Sequence, residues 1–449
     1  MSAPSLATKV FKAHFNKAVL LELSKVAFAK GASVGRDGIR LKAFEEKLDE
    51  EIDIILRKVR ACSYQFTSYK EKLISKGPDK KPRQLSIPTV RDKLVLKALA
   101  RVLAELFPGL VALPHGTIKK VHEASRTRDA TDLYLRLDIE NYYPSINHKL
   151  LLRILRPKIG CKQIKYLILN ALQTPTGRKK TEVLNSLGVP QGLSISNILA
   201  AIYLTDIDQL MSHHHGISYF RYVDDMLLIG TPAEIGEFEK SVPRLLKKTR
   251  KLCCHKVNDG GKSTKAPLTT GIEYLGYKFC RDLIEVRRSS LKKMFANLMQ
   301  NMTGFKYKKQ PFDKTLWRLN LRITGCQLKG RRIGWLFFFS QSKNINQLQH
   351  LDAFLSKQVK RLISAENTKG IKRFVKAYHE IKFNLEATSY IPNFDTMNDD
   401  QKREQISILL PKKAGTLGLL SPEELDDLFQ KAVSYEISDL EKDMMEVFS

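Results

Sequence analysis

The sequence lacks both the cysteine spacing of a zinc site and the apolar run of a membrane segment. Its six cysteines include no C-x-x-C pair. No apolar stretch approaches the roughly 20 residues needed to cross a bilayer, and the first residues contain no apolar signal-peptide core. We therefore expect a cytoplasmic protein with reduced, mostly buried thiols and no membrane partner.

Acidic residues are also scarce. The 449 residues include 47 Asp and Glu against 76 Lys and Arg, which gives a formal net charge of +29. The basic residues are spread along nearly the whole chain rather than gathered in one tail. A broad positive surface favours a polyanionic partner, and nucleic acid is the commonest one. A protein that is merely basic and soluble is the alternative interpretation.

Hydrophobic spacing divides the chain into a mixed first part and a helical second part. Residues 1–60 have helical periodicity, and a basic hairpin around a Gly-Pro-Asp turn follows them. Residues 133–139 alternate between apolar and polar positions, which predicts a half-buried strand. After about residue 288 the chain becomes basic and helical. Ser421 begins a capping sequence that marks the start of the last helix.

Three aspartates lie where predicted strands end. Asp138 closes the alternating strand, and Asp224 and Asp225 lie between apolar strands at 217–223 and 226–229. A tight turn that merely accommodates aspartate would explain the pair alone. One antiparallel sheet, however, would bring Asp138 and Asp224 together, where their charges repel unless cations neutralise them. Hard cations such as Mg²⁺ bind oxygen ligands and substrate phosphates, so this edge suits nucleotidyl transfer.

Five segments resemble the motifs of reverse transcriptases, and they occur in the order in which that family carries them. Together they span about residues 70–280. The segments are RQLSIPTVRDKLV, RLDIENYYPSI, GVPQGLSISNILAAIYLTDID, YVDD and YLGYKF.

The resemblance implies an α+β fold, the right-hand polymerase with fingers, palm and helical thumb, followed by a helical C-terminal extension. The palm would contain an antiparallel sheet with helices, and a fingers insertion near 150–187. The implied division is an N-terminal helical region at 1–60, fingers at 61–130, palm at 131–285, thumb at 286–365 and extension at 366–449.

The resemblance also implies the catalytic residues. Asp138 and Asp224 would hold two Mg²⁺ ions, for which Mn²⁺ is a substitute, and Ile139 would contribute its backbone carbonyl. Asp225 would be the third carboxylate of the metal site, in a supporting position. The expected activity is RNA-directed DNA polymerisation, a nucleotidyl transfer from dNTPs.

Several residues are expected to bind the incoming nucleotide. Lys76 and Arg83 would clamp the triphosphate, although Lys80 and Lys81 are alternatives to Lys76. The PQG segment would place Gln191 and Gly192 against the nucleotide and the templating base. Lys262 would neutralise or protonate the leaving pyrophosphate, with a solvated loop lysine as the alternative.

Tyr143, five residues after Asp138, is implied to pack under the sugar and to exclude a 2′-hydroxyl. This favours dNTPs over rNTPs and opposes an RNA-templated RNA polymerase. Core packing is the alternative role of the ring. A catalytically silent nucleic-acid scaffold is the other competing function. The presence of Asp138, Asp224 and Asp225 argues against it.

Two further groups of residues are expected to contact the nucleic acid. Tyr274, Leu275 and Gly276 resemble the turn that holds the primer end. The predicted thumb carries a series of basic residues suited to duplex phosphates. These are Arg287, Arg288, Lys292, Lys293, Lys306, Lys308, Lys309, Arg331 and Arg332.

Among reverse transcriptases, the chain most resembles the bacterial defence-associated enzymes that act against phage, and it is related to retron and group II intron enzymes. The expected partners are an RNA template, such as a dedicated non-coding RNA, the DNA product and dNTPs. A partner protein or sister subunits are further candidates. A retron- or intron-type enzyme, or a template-independent or protein-primed polymerase of the same fold, remains the alternative.

Overall fold

The structure is a computed structural model of the chain, and it has the predicted α+β class. Helices and antiparallel strands alternate in the first part, and helices dominate the second. The residues that the structure describes are 5–28, 31–75, 82–110, 113–177, 183–308, 311–362 and 370–445.

The helices follow one another along the whole described chain. They are α1 Leu6–His14, α2 Lys17–Phe28, α3 Leu41–Glu45, α4 Leu48–Arg60, α5 Val90–Leu106, α6 Pro114–Thr127, α7 Tyr142–Ser145, α8 His148–Leu155, α9 Lys162–Gln173, α10 Ser196–Tyr203, α11 Thr205–Ser212, α12 Pro232–Arg250, α13 Arg288–Lys308, α14 Phe312–Thr324, α15 Trp335–Phe338, α16 Ile345–Leu362, α17 Phe374–Phe383, α18 Asp399–Leu409 and α19 Pro422–Met445.

The strands form small sheets. They are β1 Tyr69–Ile74, β2 Arg83–Ile87, β3 Leu133–Asp138, β4 Thr176–Gly177, β5 Ser218–Tyr222, β6 Asp225–Gly230, β7 Thr264–Pro267, β8 Ile272–Tyr274, β9 Tyr277–Phe279, β10 Ile284–Val286, β11 Cys326–Leu328 and β12 Arg331–Ile333. The strand orders are β5-β6-β3-β7, β2-β1-β4, β10-β9-β8 and β11-β12.

The chain divides into two compact units. The first contains residues 1–113 and 131–266, and the second contains residues 114–130 and 267–449. The five-part division expected from the resemblance is finer than this, and it stays a prediction.

The first unit is built around the four-stranded sheet. Helix α12 packs against β3 and β6 and begins at a capping box in which Thr231 and Glu234 bond each other's backbone N–H groups. Strand β3 is buried or partly buried at every position rather than on alternate positions as the sequence predicted. Tyr134, on the predicted polar face, is fully buried.

The second unit contains a helix that is distant from it in sequence. Helix α6 belongs to this unit, where the backbone carbonyl of His115 accepts a hydrogen bond of 2.9 Å from the Gln341 side chain. The His115 ring also lies 3.2 Å from the carbonyl oxygen of Phe337. The segment GWLFFFSQ therefore holds α6, a connection that periodicity alone does not predict.

The C-terminal helices share a hydrophobic core with the predicted thumb. Phe429 and Val433 of α19 pack in one cluster with Leu321 of α14 and Ile333 of β12. The start of α19 has the predicted capping box, in which Ser421 and Glu424 bond each other's backbone N–H groups. The C-terminal residues are thus an integral layer of the second unit.

A buried ion pair joins α19 to α14, and it yields a stability prediction. Both carboxylate oxygens of Glu436 accept hydrogen bonds of 2.7 Å from Arg318, and Lys314 Nζ lies 3.6 Å away. Replacing Glu436 by glutamine is expected to lower the free energy of unfolding by about 1–3 kcal/mol, because two cations lose their buried counter-ion. Urea unfolding followed by circular dichroism measures the change.

The matched control is Asp427→Asn on the same helix. Asp427 pairs with Lys431 at 3.4 Å, and both side chains are exposed. This variant is expected to change the free energy of unfolding by no more than about 0.5 kcal/mol. Equal losses in the two variants would contradict a specific role for the Glu436 pair.

Two findings concern only the described part of the chain. No helix there is long and apolar enough to cross a membrane. The run His213–His215 forms an exposed turn, as expected from its surroundings.

Candidate active site

The three aspartates meet at one edge of the four-stranded sheet. Strand β3 ends at Asp138, which is the cross-strand neighbour of Asp225 on β6. Tyr222 and Asp225 pair across the β5–β6 hairpin, so Val223 and Asp224 form its two-residue turn. The backbone N–H of Ile139 donates to the carbonyl oxygen of Asp224 at 3.3 Å. The edge predicted from strand ends is therefore formed.

The turn that carries Asp224 has an unfavourable backbone conformation. Val223 has φ +59°, a left-handed value that a β-branched residue rarely adopts. The buried guanidinium of Arg221 donates to the Val223 carbonyl oxygen at 2.7 Å and to Asp208 Oδ1 at 2.7 Å. The Tyr219 hydroxyl also donates to Asp208, at 2.8 Å. This network holds the strained turn, which is typical of a functional site.

Asp225 has a dedicated counter-ion. Arg136, two residues before Asp138 on β3, donates from Nε and from one terminal nitrogen to the two Asp225 oxygens, both at 2.8 Å. Burial raises the pKa of Asp225 to about 6, and the Arg136 charge opposes that rise. Both Asp225 oxygens are therefore engaged by Arg136, and the supporting position of Asp225 at a metal site stays a prediction. Direct metal ligation by it stays a prediction.

Asp138 is buried and faces two basic side chains. Its Oδ2 lies 3.6 Å from Lys262 Nζ and 3.4 Å from His255 Nε2. Its backbone N–H donates to the Ser263 hydroxyl oxygen at 3.1 Å. Lys262 thus lies beside Asp138 although its side chain is exposed, and its role with pyrophosphate stays a prediction.

Asp224 is in an environment that disfavours negative charge. Burial raises the pKa of this carboxyl group, the neighbouring Asp138 raises it further, and Lys262 and Arg83 oppose the rise. A bound cation would relieve the repulsion between the two carboxylates.

The donor set at this edge fits hard divalent cations. Asp138 and Asp224 offer carboxylates, and Ile139 is bonded to the same turn through its backbone. Within the described residues, no group of three or more His, Cys, Asp or Glu side chains could hold a metal ion. The remaining ligands would have to be water and substrate phosphates, an arrangement that Mg²⁺ commonly adopts.

The residues expected to bind the nucleotide lie partly beside this edge. Arg83 is the first residue of β2, and its charge acts on both Asp224 and Tyr143. Lys76 lies outside the described residues. The carbonyl oxygen of Gln191 accepts from the Ser86 N–H at 2.7 Å, so the PQG segment is bonded to β2.

Gly192 is required by close packing. Its φ is +101°, and a Cβ added to it would lie 3.0 Å from the Ser86 carbonyl oxygen. The close approach of a ligand to this glycine stays a prediction. The structure adds a close approach to β2.

Tyr143 lies beside the turn that carries Asp224. It belongs to the one-turn helix α7 and is partly exposed. Its hydroxyl donates to Asn197 Oδ1 at 2.9 Å. Burial raises the pKa of the Tyr143 hydroxyl, and the charge of Asp224 raises it further.

The remaining predicted contacts belong to the second unit. Leu275 and Gly276 form the two-residue turn between β8 and β9, with φ values of +48° and +83°. Their role with the primer stays a prediction. Arg331 and Arg332 lie 3.1 and 3.2 Å from Glu441 and Glu386 and remain exposed, and their role with a duplex stays a prediction.

Sequence reasoning did not assign Arg136, Arg221, His255 or Asn197 to the site. Only Arg136 had a usable signal, because strand alternation places it on the same face as Asp138. His255 and Asn197 come from segments whose approach depends on tertiary packing.

Comparisons with known proteins identify the family to which the central part of the chain is similar. Residues 74–279 match the family described as reverse transcriptase (RNA-dependent DNA polymerase). Protein YkfC of Escherichia coli K12 is 24% identical over 311 residues, which cover 58% of this chain and 80% of YkfC. The group II intron-encoded protein LtrA of Lactococcus lactis is 28% identical over 189 residues, covering 40% of this chain but only 31% of LtrA.

The chain is also similar to a solved structure, telomerase from Candida albicans with a fragment of telomeric RNA, at 13% identity and a TM-score of 0.42. The match covers 91% of this chain and 70% of the telomerase chain. That score is low, so the assignment rests on the sequence matches. The antiparallel sheet that carries Asp138 and Asp224 lies within the residues that match this family. Residues 74–279 of the chain therefore form a domain of the reverse transcriptase (RNA-dependent DNA polymerase) family, and the chain is related to the group II intron-encoded enzymes.

Proposed function

We propose that the chain copies RNA into DNA from dNTPs at the sheet edge formed by Asp138 and Asp224. The observation that carries this proposal is the paired carboxylates faced by Lys262 and Arg83. Opposed charges of this kind suit a bound triphosphate whose negative charge must be compensated during transfer.

Two divalent cations, Mg²⁺ first and Mn²⁺ as a substitute, are proposed to bind Asp138, Asp224 and the Ile139 carbonyl. Bound there, they would activate the primer 3′-hydroxyl and stabilise the leaving pyrophosphate. Asp225 would stay paired with Arg136 and support the turn. The chain's own contribution would be to fix both carboxylates before substrate arrives.

The basic side chains would orient the triphosphate. Arg83 has the fork geometry that suits a bidentate phosphate contact, and Lys262 supplies a point charge next to Asp138. Lys262 would neutralise the pyrophosphate as it leaves. The Gln191–Gly192 backbone, bonded to β2, would form the wall against which the base and sugar lie.

Tyr143 is proposed to select dNTPs. Replacing Tyr143 by valine is expected to lower the ratio of kcat/KM for dTTP over UTP by roughly 10- to 100-fold, because the smaller side chain leaves room for a 2′-hydroxyl. Single-nucleotide incorporation on a poly(rA) template with an oligo(dT) primer measures both substrates.

The control for sugar selection is Tyr435→Val, which changes an exposed tyrosine on α19, distant in sequence from Tyr143. It should leave the ratio unchanged. A Tyr143→Val enzyme with wild-type selectivity would exclude the ring as the sugar gate. A wild type that prefers UTP would favour an RNA polymerase.

We further propose that the enzyme acts in defence against phage and copies a dedicated non-coding RNA, with a nucleic acid or an unusual primer. The resemblance of its motifs and C-terminal helices to defence-associated enzymes supports this role. Phage plaque counts on cells with the wild-type gene, its native flanking DNA, or the Asp224→Asn gene test it. Equal counts for all three would contradict a defence role, and DNA of no templated sequence would favour template-independent synthesis.

A further inference from the structure

We propose that Asn197 is a positioning residue for sugar selection: it holds the ring of Tyr143 against the nucleotide site through a hydrogen bond to the tyrosine hydroxyl. This inference rests on the proposed function, because it deepens the role of Tyr143 as the sugar gate. It adds a residue that neither the sequence motifs nor the comparisons assign.

The contact is direct and specific. The Tyr143 hydroxyl lies 2.9 Å from Asn197 Oδ1, a normal length for this type of hydrogen bond. The two residues are 54 positions apart, so tertiary structure rather than local sequence creates the pair. Asn197 lies in the first turn of α10, directly after the PQG segment.

Tyr143 is bonded to both ends of that segment. Its backbone carbonyl oxygen accepts from the Val189 N–H at 2.8 Å, just before Gln191. Its side chain bonds Asn197, just after the segment. The ring and the loop that contains Gln191 and Gly192 are therefore connected at two points, and the position of one depends on the other.

Packing alone leaves the ring incompletely held. Tyr143 is partly exposed, unlike the fully buried Tyr142 beside it. The two rings meet edge to face, with centroids 5.8 Å apart. A ring that excludes one hydroxyl group must keep one position, and a polar contact at its far end restricts rotation about its side-chain bonds.

Asn197 has no evident role in starting its own helix. The N-cap of α10 is Ile195, which makes no side-chain cap bond. The Asn197 side chain is exposed, and asparagine is a poor helix former compared with alanine. An exposed position with that side chain is therefore best explained by its bond to Tyr143.

The test compares selectivity in four enzymes: the wild type, Asn197→Ala, Tyr143→Phe and the double variant. Values of kcat and KM for dTTP and UTP are measured on poly(rA)–oligo(dT) with Mg²⁺. Each single variant is expected to lower the dTTP/UTP ratio of kcat/KM by about two- to tenfold, the size expected from one exposed hydrogen bond. The loss should come mainly from a lower KM for UTP.

The double variant distinguishes positioning from general damage. Because both single changes remove the same bond, the double variant should be no less selective than either one. Asn197→Asp retains the acceptor oxygen and should keep the wild-type ratio. Equal melting temperatures of the wild type and Asn197→Ala would confirm that the exposed change leaves the fold intact.

Three outcomes would overturn the inference. They are an unchanged ratio in Asn197→Ala, a further loss when it is added to Tyr143→Phe, and a loss of equal size in Asn197→Asp. Failure of the proposed function is a different result, since the wild type would then incorporate neither nucleotide or would prefer UTP. If the wild type synthesises DNA and replacing Asn197 leaves the dTTP/UTP ratio unchanged, only this inference is contradicted.

Discussion

Replacing Asp224 by asparagine is expected to lower dNTP incorporation by roughly a thousand-fold or more, while the folded protein becomes no less stable. The first effect follows because one of the two carboxylates proposed to hold the catalytic cations is lost. The second follows because burial and Asp138 both disfavour the charge of Asp224 in the folded state. Removing that charge is expected to raise the free energy of unfolding by about 1 kcal/mol, or Tm by about 1–2 °C.

Primer extension and thermal unfolding measure these two effects. Unfolding is followed with and without Mg²⁺, since a cation that binds only the folded state raises Tm. The wild type should show this rise, and Asp224→Asn should lose most of it. The control is Asp259→Asn, a change in an exposed loop before Lys262. An Asp224→Asn enzyme that still extends primers at the wild-type rate would exclude Asp224 from the reaction.

Replacing Arg136 by glutamine is expected to destabilise the protein by about 3–5 kcal/mol, because the buried Asp225 loses its bidentate partner. DNA synthesis should fall at least about tenfold even below the melting temperature, since Asp225 directly follows the catalytic turn. Urea unfolding and primer extension at low temperature measure the two losses.

The double variant Arg136→Gln with Asp225→Asn is the matched control. It removes both buried charges and leaves two amides that can bond each other, so most of the lost stability should return. If the double variant were as unstable as Arg136→Gln, the loss would come from packing of the arginine stem rather than from an unpaired carboxylate. Comparison with Asp225→Asn alone then distinguishes the loss of support for the turn from the loss of the ion pair with Arg136.

The meeting of Asp138 and Asp224 could be predicted from the sequence because local rules are sufficient there. Strand alternation ends at Asp138, and an Asp pair between apolar strands marks a hairpin turn. Arg136 shared the predicted polar face with Asp138, but the resemblance assigned Asp225 to the metals and offered no reason to look for a counter-ion.

Long-range packing accounts for what the sequence did not predict. Helix α6 joins the second unit through contacts of His115 with residues more than 200 positions away. The C-terminal helices share a core with α14, although their own periodicity indicated only an ordinary packing face. Periodicity in a single sequence shows that a helix has an apolar face but not which element packs against it, because any apolar face can pack against many others.

The most direct test of the central claim is RNA-templated primer extension by the protein purified from cells with its native flanking DNA. Labelled dNTPs are supplied with Mg²⁺, and both the product and any co-purifying RNA are sequenced. The account predicts Mg²⁺-dependent DNA complementary to RNA from the wild type and none from Asp224→Asn. RNA that co-purifies while no dNTP is incorporated on any template or primer would contradict it and indicate a nucleic-acid scaffold.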